Sequence, residues 1–357
     1  MRTLTVNLPG REYGIVCGEG ILDRAGTLLR PLLKGDLAVI VTDSNVEPLY
    51  ASRLARSLHG AGFRPAILEI PAGEQSKTPE VLAELWEQMA DLGITRSDSV
   101  IALGGGVVGD LSGFAAATIL RGVRFVQIPT TLLAQVDSSV GGKVAVDLEA
   151  GKNLAGAFYQ PAMVLMDPAC LKTLPDREFR CGMAEVIKYG CILDRALFDR
   201  LEELGSREGI LAHAEEILLR CCDIKREIVE RDEMDTGERM LLNFGHTLGH
   251  VYEKAYGYRK YNHGEAVAAG MAAAARIGIR LGVTPAGTDT AVEALLRRFG
   301  LPTAIAAKPE DFEQTLIKDK KSDGSRISFV ALRALGRAET VKLEKTELLK
   351  LIREAGL

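Results

Sequence analysis

SVIALGGGVVGDLSGFAA, residues 99–116, carries an apolar β-rich run through a cluster of glycines into a helical pattern. A strand that enters a helix in this way is the repeating half-unit of a parallel sheet covered by helices. Gly104, Gly106 and Gly109 fit the spacing G-x-G-x-x-G. At the mouth of a helix that spacing lets backbone N–H groups approach a pyrophosphate. Alone it is a weak signal, because a glycine turn needed for packing has the same spacing. The usual dinucleotide fingerprint follows the first strand, and an acid closes the next; here the next strand closes in IPTT. Asp43, in VTDSN, is the comparable ribose-binding carboxylate.

Outward from this segment the same alternation continues. LAVIVTD (37–43), PAILEIP (65–71), RFVQIPTT (124–131) and AMVLMDP (162–168) read as strands, and NVEPLYASRLARSLHGAG and PEVLAELWEQMADLG as intervening helices. The pattern predicts a Rossmann-like α/β domain over 1–174, a parallel sheet whose ligands gather at the carboxyl ends of the strands. AGEQSK (72–77), PTT (129–131), DSSVGGK (137–143) and GKN (151–153) read as loops after strands and offer hydroxyls, glycines and lysines to phosphates. Beyond Pro175 and Asp176 the strand pattern nearly stops, so 175–357 is expected to be an all-helical second domain.

Three of the five histidines fall within eighteen residues, in GHTLGH (245–250) and NHGEAVAAGM (262–271). His246 and His250 are four apart, about 40° from each other around a helix, and share a face. The zinc-protease pattern needs a Glu after the first His, and Thr247 stands there, so a peptidase lacks its general base. His263 opens the next helix. A site built on His246 and His263 needs an anionic third ligand to leave one position open, and Glu185 in MAEVIKYG, with Lys188 one turn on, is the best upstream candidate.

Charge and composition narrow the classes. With 44 Lys+Arg against 48 Asp+Glu and no long basic run, a nucleic-acid partner is not expected. The apolar stretch AVAAGMAAAA, followed by Arg276, is too short for a bilayer, so no membrane partner is expected either. The start MRTLTVNLPGREYG lacks a signal-peptide core, and six cysteines without a C-x-x-C pair suit reduced thiols in the cytoplasm.

VTDSN, GEQSK, LGGGVVGD, RGVRFVQIPTTLLAQVDSSVGGK, GKNLAGAFYQP, MAEVIKYG, IKREIVERDEMDTGERMLLNFGHTLGH, NHGEAVAAGM and DKKSDG, in this order from about 37 to 330, together resemble the 3-dehydroquinate synthase family of sugar-phosphate cyclases. The resemblance implies a homodimeric enzyme of the shikimate pathway, on the route to aromatic amino acids. Such an enzyme takes 3-deoxy-D-arabino-heptulosonate 7-phosphate to 3-dehydroquinate and phosphate with bound NAD and a divalent metal, zinc or cobalt. It places metal ligands on Glu185, His246 and His263 and a polar active-site histidine on His250. It places NAD contacts on Asp43, Glu74, Lys77, Gly105, Gly106, Asp110, Thr130, Thr131, Lys143, Lys152 and Thr173. Asp137, Lys143, Lys152, Asn153, Lys188, Lys225, Arg239, Asn243 and Lys320 (or its neighbour Lys321) fall on catalytic and substrate positions, and Arg121 on one that reaches a neighbouring subunit's phosphate pocket. From the residues alone, Lys225 and Arg239 sit in a charge-rich helical region where solvated ion pairs are the default. The alternatives are an inosose or valiolone synthase, a metal-dependent alcohol dehydrogenase, and a nucleotide-binding regulator with a structural metal. The open three-ligand set speaks against the last.

Overall fold

The computed structural model describes residues 1–316 and 324–356. The chain divides into two units: Met1–Pro175 with Lys225–Glu230, and Asp176–Ile224 with Arg231–Leu357. The boundary is therefore not a single cut, because part of the helix Ala214–Arg231 is counted with the first unit.

The first unit is built on a seven-stranded sheet in the order β1-β2-β9-β6-β5-β3-β4. Its strands are β1 (Arg2–Val6), β2 (Tyr13–Cys17), β3 (Leu37–Asp43), β4 (Arg64–Ile70), β5 (Ser99–Gly104), β6 (Arg124–Pro129) and β9 (Met163–Met166). All neighbours pair parallel except β1, which runs antiparallel to β2. Side chains alternate between the faces of a strand, and on β3 Ala38 and Ile40 enter one core while Leu37, Val39 and Val41 enter the other. Burial on both faces explains why the central strands read as unbroken apolar runs. β1 and β2 extend the sheet beyond the five strands expected from sequence.

DSSVGGK and GKN are not simple post-strand loops. Lys143 begins β7 (Lys143–Leu148), and Lys152 and Asn153 lie in β8 (Gly151–Phe158), the two arms of a separate antiparallel hairpin. The second unit is mostly helical, yet among its described residues it holds one antiparallel pair, β10 (Arg326–Ala334) and β11 (Arg337–Glu344). The expectation of an all-helical second half is corrected there. The run ISFVAL has the β-branched and aromatic content of a strand, and Gly336, at φ 82°, supplies the left-handed residue of the turn.

Candidate metal centre and cofactor-binding residues

Three helices of the second unit assemble the histidine cluster. Asp176–Ile192 carries Glu185 and Lys188, His246–Ala255 carries His246 and His250, and His263–Arg280 begins with the third imidazole. Asn262 fixes that last start: its side chain accepts from Glu265 N at 2.9 Å while the Glu265 carboxylate accepts from Asn262 N at 2.9 Å, a reciprocal capping box. Gly245 (φ 82°) caps the preceding helix in a conformation few other residues adopt.

Glycine also sets how closely the helices approach. A Cβ on Gly264 would collide with the backbone of Cys181, and one on Gly270 with the Gly245 carbonyl. A Cβ on Gly249 would stand 3.2 Å from Ala266 O and from Val267 Cα, tight but short of collision. Backbone therefore lies on backbone, and short imidazoles reach a carboxylate on another helix.

One ligand atom from each of Glu185, His246 and His263 lies within 4.8 Å of the others. His246 Nε2 and His263 Nε2 stand 3.6 and 3.4 Å from Glu185 Oε1. The Glu185 side chain is fully buried and ion-paired to Lys188, itself buried, yet neither carboxylate oxygen has a partner in hydrogen-bond geometry. Unsatisfied buried carboxylate oxygens facing two imidazole nitrogens are what a divalent cation would satisfy. His246 Nδ1 lies 3.2 Å from Phe244 O, a contact that assigns its proton to Nδ1 and leaves Nε2 as the ligand atom. The imidazoles are partly exposed while the carboxylate is not, the asymmetry of a site with one open position.

The two imidazoles differ in their electrostatics. Burial, aided by the Lys188 ammonium, pushes His246 down to about 3 and keeps it neutral. Burial also opposes charge on His263, but the facing carboxylates of Glu185 and Glu253 overcome it and lift that imidazole to about 10. Glu185 is held well below the usual carboxylate range despite burial, first by Lys188 and then by the two histidines. His250 lies beside this group, its ring centroid 5.7 Å from that of His246, but turns its Nδ1 to Glu253 at 2.7 Å.

In the first unit several of the expected cofactor residues lie at or just after the carboxyl ends of strands, while Lys143 and Lys152 lie in the hairpin. Asp43 ends β3, Gly104 ends β5, and Thr130 follows β6 and donates to Gly104 O at 2.9 Å. The helix Gly106–Thr118 starts there with no acid in its first turn. None of Gly104, Gly105, Gly106 or Gly109 has positive φ; close approach is their requirement. A Cβ on Gly105 would stand 3.0 Å from Thr131 Cγ2, and one on Gly109 would stand 2.8 Å from Gln127 Oε1. Gly109 is thus a packing glycine between helix and strand, whatever the others bind. Asp43 Oδ1 accepts from Asn45 N (2.9 Å) and Val46 N (3.1 Å), so it also shapes its own turn.

Lys77 is buried between Asp110 Oδ2 and Asn153 Oδ1, at 2.5 Å from each. Burial opposes its charge, yet Asp110 holds the ammonium above its ordinary range; burial also pushes the Asp110 carboxyl up. Lys152 pairs with Glu74 at 3.2 Å, and Thr173 Oγ1 lies 2.5 Å from the Tyr50 hydroxyl. Lys225 and Arg239 are not solvated. Lys225 donates to Asp137 O at 2.7 Å and to its carboxylate, and buried Arg239 donates to Glu233 O at 2.6 Å. Asn243 is exposed at the end of the turn Glu238–Asn243, and Lys143 is exposed at the start of β7. Arg121 is exposed after Leu120, and both have positive φ, 66° and 51°. Lys320 and Lys321 lie outside the described residues.

The comparisons with known proteins bear on what these residues serve. The 3-dehydroquinate synthase N-terminal model matches residues 67–181, and the C-terminal model matches 182–322. The 3-dehydroquinate synthase of Desulforamulus reducens is 49% identical over 346 residues, 96% of each chain; that of Clostridium acetobutylicum is 45% identical over 354 residues, 99% of each. The chain belongs to the 3-dehydroquinate synthase family. Among solved structures it is similar to 2-deoxy-scyllo-inosose synthase complexed with carbaglucose-6-phosphate, NAD+ and Co2+ (TM-score 0.89, 28% identity, 99% of this chain and 100% of that one). It is also similar to ValA, the 2-epi-5-epi-valiolone synthase of Streptomyces hygroscopicus subsp. jinggangensis 5008 with NAD+ and Zn2+ bound (TM-score 0.87, 28% identity, 96% of each chain). An iron-containing alcohol dehydrogenase at 16% identity and TM-score 0.69 shares the fold alone.

Two features of this family member escaped the sequence reading. Tyr50, in the segment EPLYA, partners Thr173 across 123 positions, and nothing local signals that pairing. Glu253, three residues after His250, is buried beside two of the histidines. Its position on the His250 face of the helix was the available signal.

Proposed function

We propose that the chain is a 3-dehydroquinate synthase that converts 3-deoxy-D-arabino-heptulosonate 7-phosphate to 3-dehydroquinate and phosphate. The observation that carries the proposal is the buried, unsatisfied Glu185 carboxylate facing His246 and His263 with Lys188 at its side, in a chain of this family. When bound, NAD would accept and return a hydride, and a divalent metal on Glu185, His246 and His263 would polarise a substrate oxygen.

The first unit is the expected holder of NAD. Gly105, Gly106 and the start of the helix Gly106–Thr118 offer close backbone approach, and Asp43, Glu74, Lys77, Asp110, Thr130, Thr131, Lys143, Lys152 and Thr173 are the further residues assigned to the cofactor. Oxidising a secondary alcohol of the substrate acidifies the adjacent C–H, which opens the way to phosphate loss. The cationic residues Lys143, Lys152, Lys188, Lys225 and Arg239, with Asp137, Asn153, Asn243 and His250, would bind substrate and its phosphate. The departing phosphate oxygens can accept the proton, so no separate strong base is needed. With that hydride returned, ring opening and internal aldol closure would complete the carbocycle, and NAD would not be consumed.

The buried free cysteines suit a reducing, cytoplasmic setting. We further propose a homodimer in which Arg121, an exposed cation on the turn that follows Leu120, serves the neighbour's site, as the family resemblance implies. Mixing Arg121→Ala chains with Lys152→Ala chains would place both lesions in one site of a heterodimer and leave the other intact. Recovered activity supports the shared site, and mixed dimers without activity refute it.

Inosose and valiolone synthases share the fold at 28% identity, against 44–49% for dehydroquinate synthases. The test is substrate choice. Phosphate release from the seven-carbon sugar acid but not from sugar phosphates lacking the carboxylate is expected, and the reverse preference would reassign the chain.

A further inference from the structure

We propose that Glu253 is a positioning residue whose single buried carboxylate orients two imidazoles at once, His263 of the metal set through Oε1 and His250 through Oε2. The inference rests on reading Glu185, His246 and His263 as metal ligands. Glu253 is only 3% exposed. Its Oε2 lies 2.7 Å from His250 Nδ1 on the same helix, and its Oε1 lies 3.4 Å from His263 Nδ1 on the next. A local pair within one helix would account for the first contact. It would not account for a second oxygen turned toward the neighbouring helix.

The consequence is tautomeric. A carboxylate can only accept, so a ring nitrogen facing Glu253 carries the proton. On His263 that leaves Nε2, the nitrogen 3.4 Å from Glu185 Oε1, as the atom that gives up its proton to a metal. Acceptors that hold a ligand histidine in this manner fix both its tautomer and the plane of its ring. The same reasoning leaves Nε2 of His250 as the acceptor, on a side chain 59% exposed and therefore within reach of a bound molecule. Glu253 would thus tie the metal-binding imidazole and the nearby polar imidazole to one rigid group. No other acid on the helix His246–Ala255 could do so, because Glu253 is its only one.

The test uses the full-length protein and Co2+ with a competing chelator. Glu253→Gln replaces one acceptor by an amide N–H, which must turn one imidazole away. Co2+ affinity is expected to fall about 10- to 100-fold, with a changed visible absorption spectrum, while Glu253→Asp recovers part of the loss. A folded Glu253→Gln chain that binds Co2+ within twofold of wild type with the same spectrum overturns the proposal. If wild type itself fails to bind Co2+, the metal reading falls, a separate result. Should Glu253→Gln not fold, 15N-histidine spectra of the Zn2+-loaded wild type decide. The His263 signal, identified by its loss in His263→Ala, must show a protonated Nδ1; a bare Nδ1 refutes the assignment.

Discussion

Gly270→Ala probes the approach of the two histidine helices with one carbon atom. The added Cβ would stand 2.9 Å from Gly249 N and 3.0 Å from the carbonyl carbon of Gly245, closer still to its oxygen. Both neighbours are backbone, so no side chain can swing aside, and the helices must part by roughly 1 Å. Overpacking of this kind costs about 1–3 kcal/mol, against a gain of up to about 1 kcal/mol from replacing a mid-helix glycine. The net is destabilising. Metal ligands tolerate displacements of only about 0.2 Å, so Co2+ affinity should fall at least about tenfold even where the chain folds. Gly249→Ala is the internal control. Its Cβ would meet Ala266 O at 3.2 Å, a contact small adjustments relieve, and the helix gain roughly offsets it. Thermal midpoints of the metal-free variants and chelator competition read both effects. The reasoning is refuted if Gly270→Ala is as stable as Gly249→Ala and binds Co2+ equally well.

Three further outcomes test individual side chains. Lys152→Ala removes a partly exposed pair with Glu74 and should cost less than about 1 kcal/mol while cutting turnover about 100-fold or more; Lys77→Met leaves Asp110 without its buried partner and should cost about 3 kcal/mol or more in urea unfolding. Equal effects on stability would remove the distinction. The Asp232 carboxylate accepts from Thr236, Gly237 and Arg239 N–H groups, which outweigh desolvation and hold it below its ordinary 3.8. Because the folded value is depressed, its contribution is present above 3.8 and lost as pH falls through the folded value. The stability gap between wild type and Asp232→Asn should therefore close in acid, and a gap unchanged at pH 2 would contradict this. Burial pushes the Cys170 and Cys181 thiols up to about 12 and Cys191 higher, so a thiol reagent at pH 8 should leave the six buried cysteines unmodified until the chain unfolds. Rapid labelling of the native protein would show one of them to be accessible.

The central strands were legible because strands buried on both faces are continuous apolar runs, and 37–43 and 99–104 read that way. The hairpin of β7 and β8 was not, since KVAVDL and GKNLAGAF mix lysine and glycine into short arms with no long apolar run. The histidine cluster stood out because its spacing is local. Glu185 required reach across helices, and its candidacy came from an acid among apolar neighbours. Lys225 and Arg239 looked solvated because their partners are remote or on the backbone; Asp137 lies 88 positions from Lys225. Which glycines let helices touch is a pairwise fact, as with Gly245 and Gly270, and single positions do not reveal it.

The central claim is most directly tested by incubating the purified protein, loaded with Co2+ or Zn2+ and NAD, with 3-deoxy-D-arabino-heptulosonate 7-phosphate, while following phosphate, 3-dehydroquinate and NADH together. The account predicts one phosphate per 3-dehydroquinate with no accumulating NADH, and loss of both products after chelation or in His263→Ala. Absence of phosphate release, or NADH rising in step with product, would contradict it.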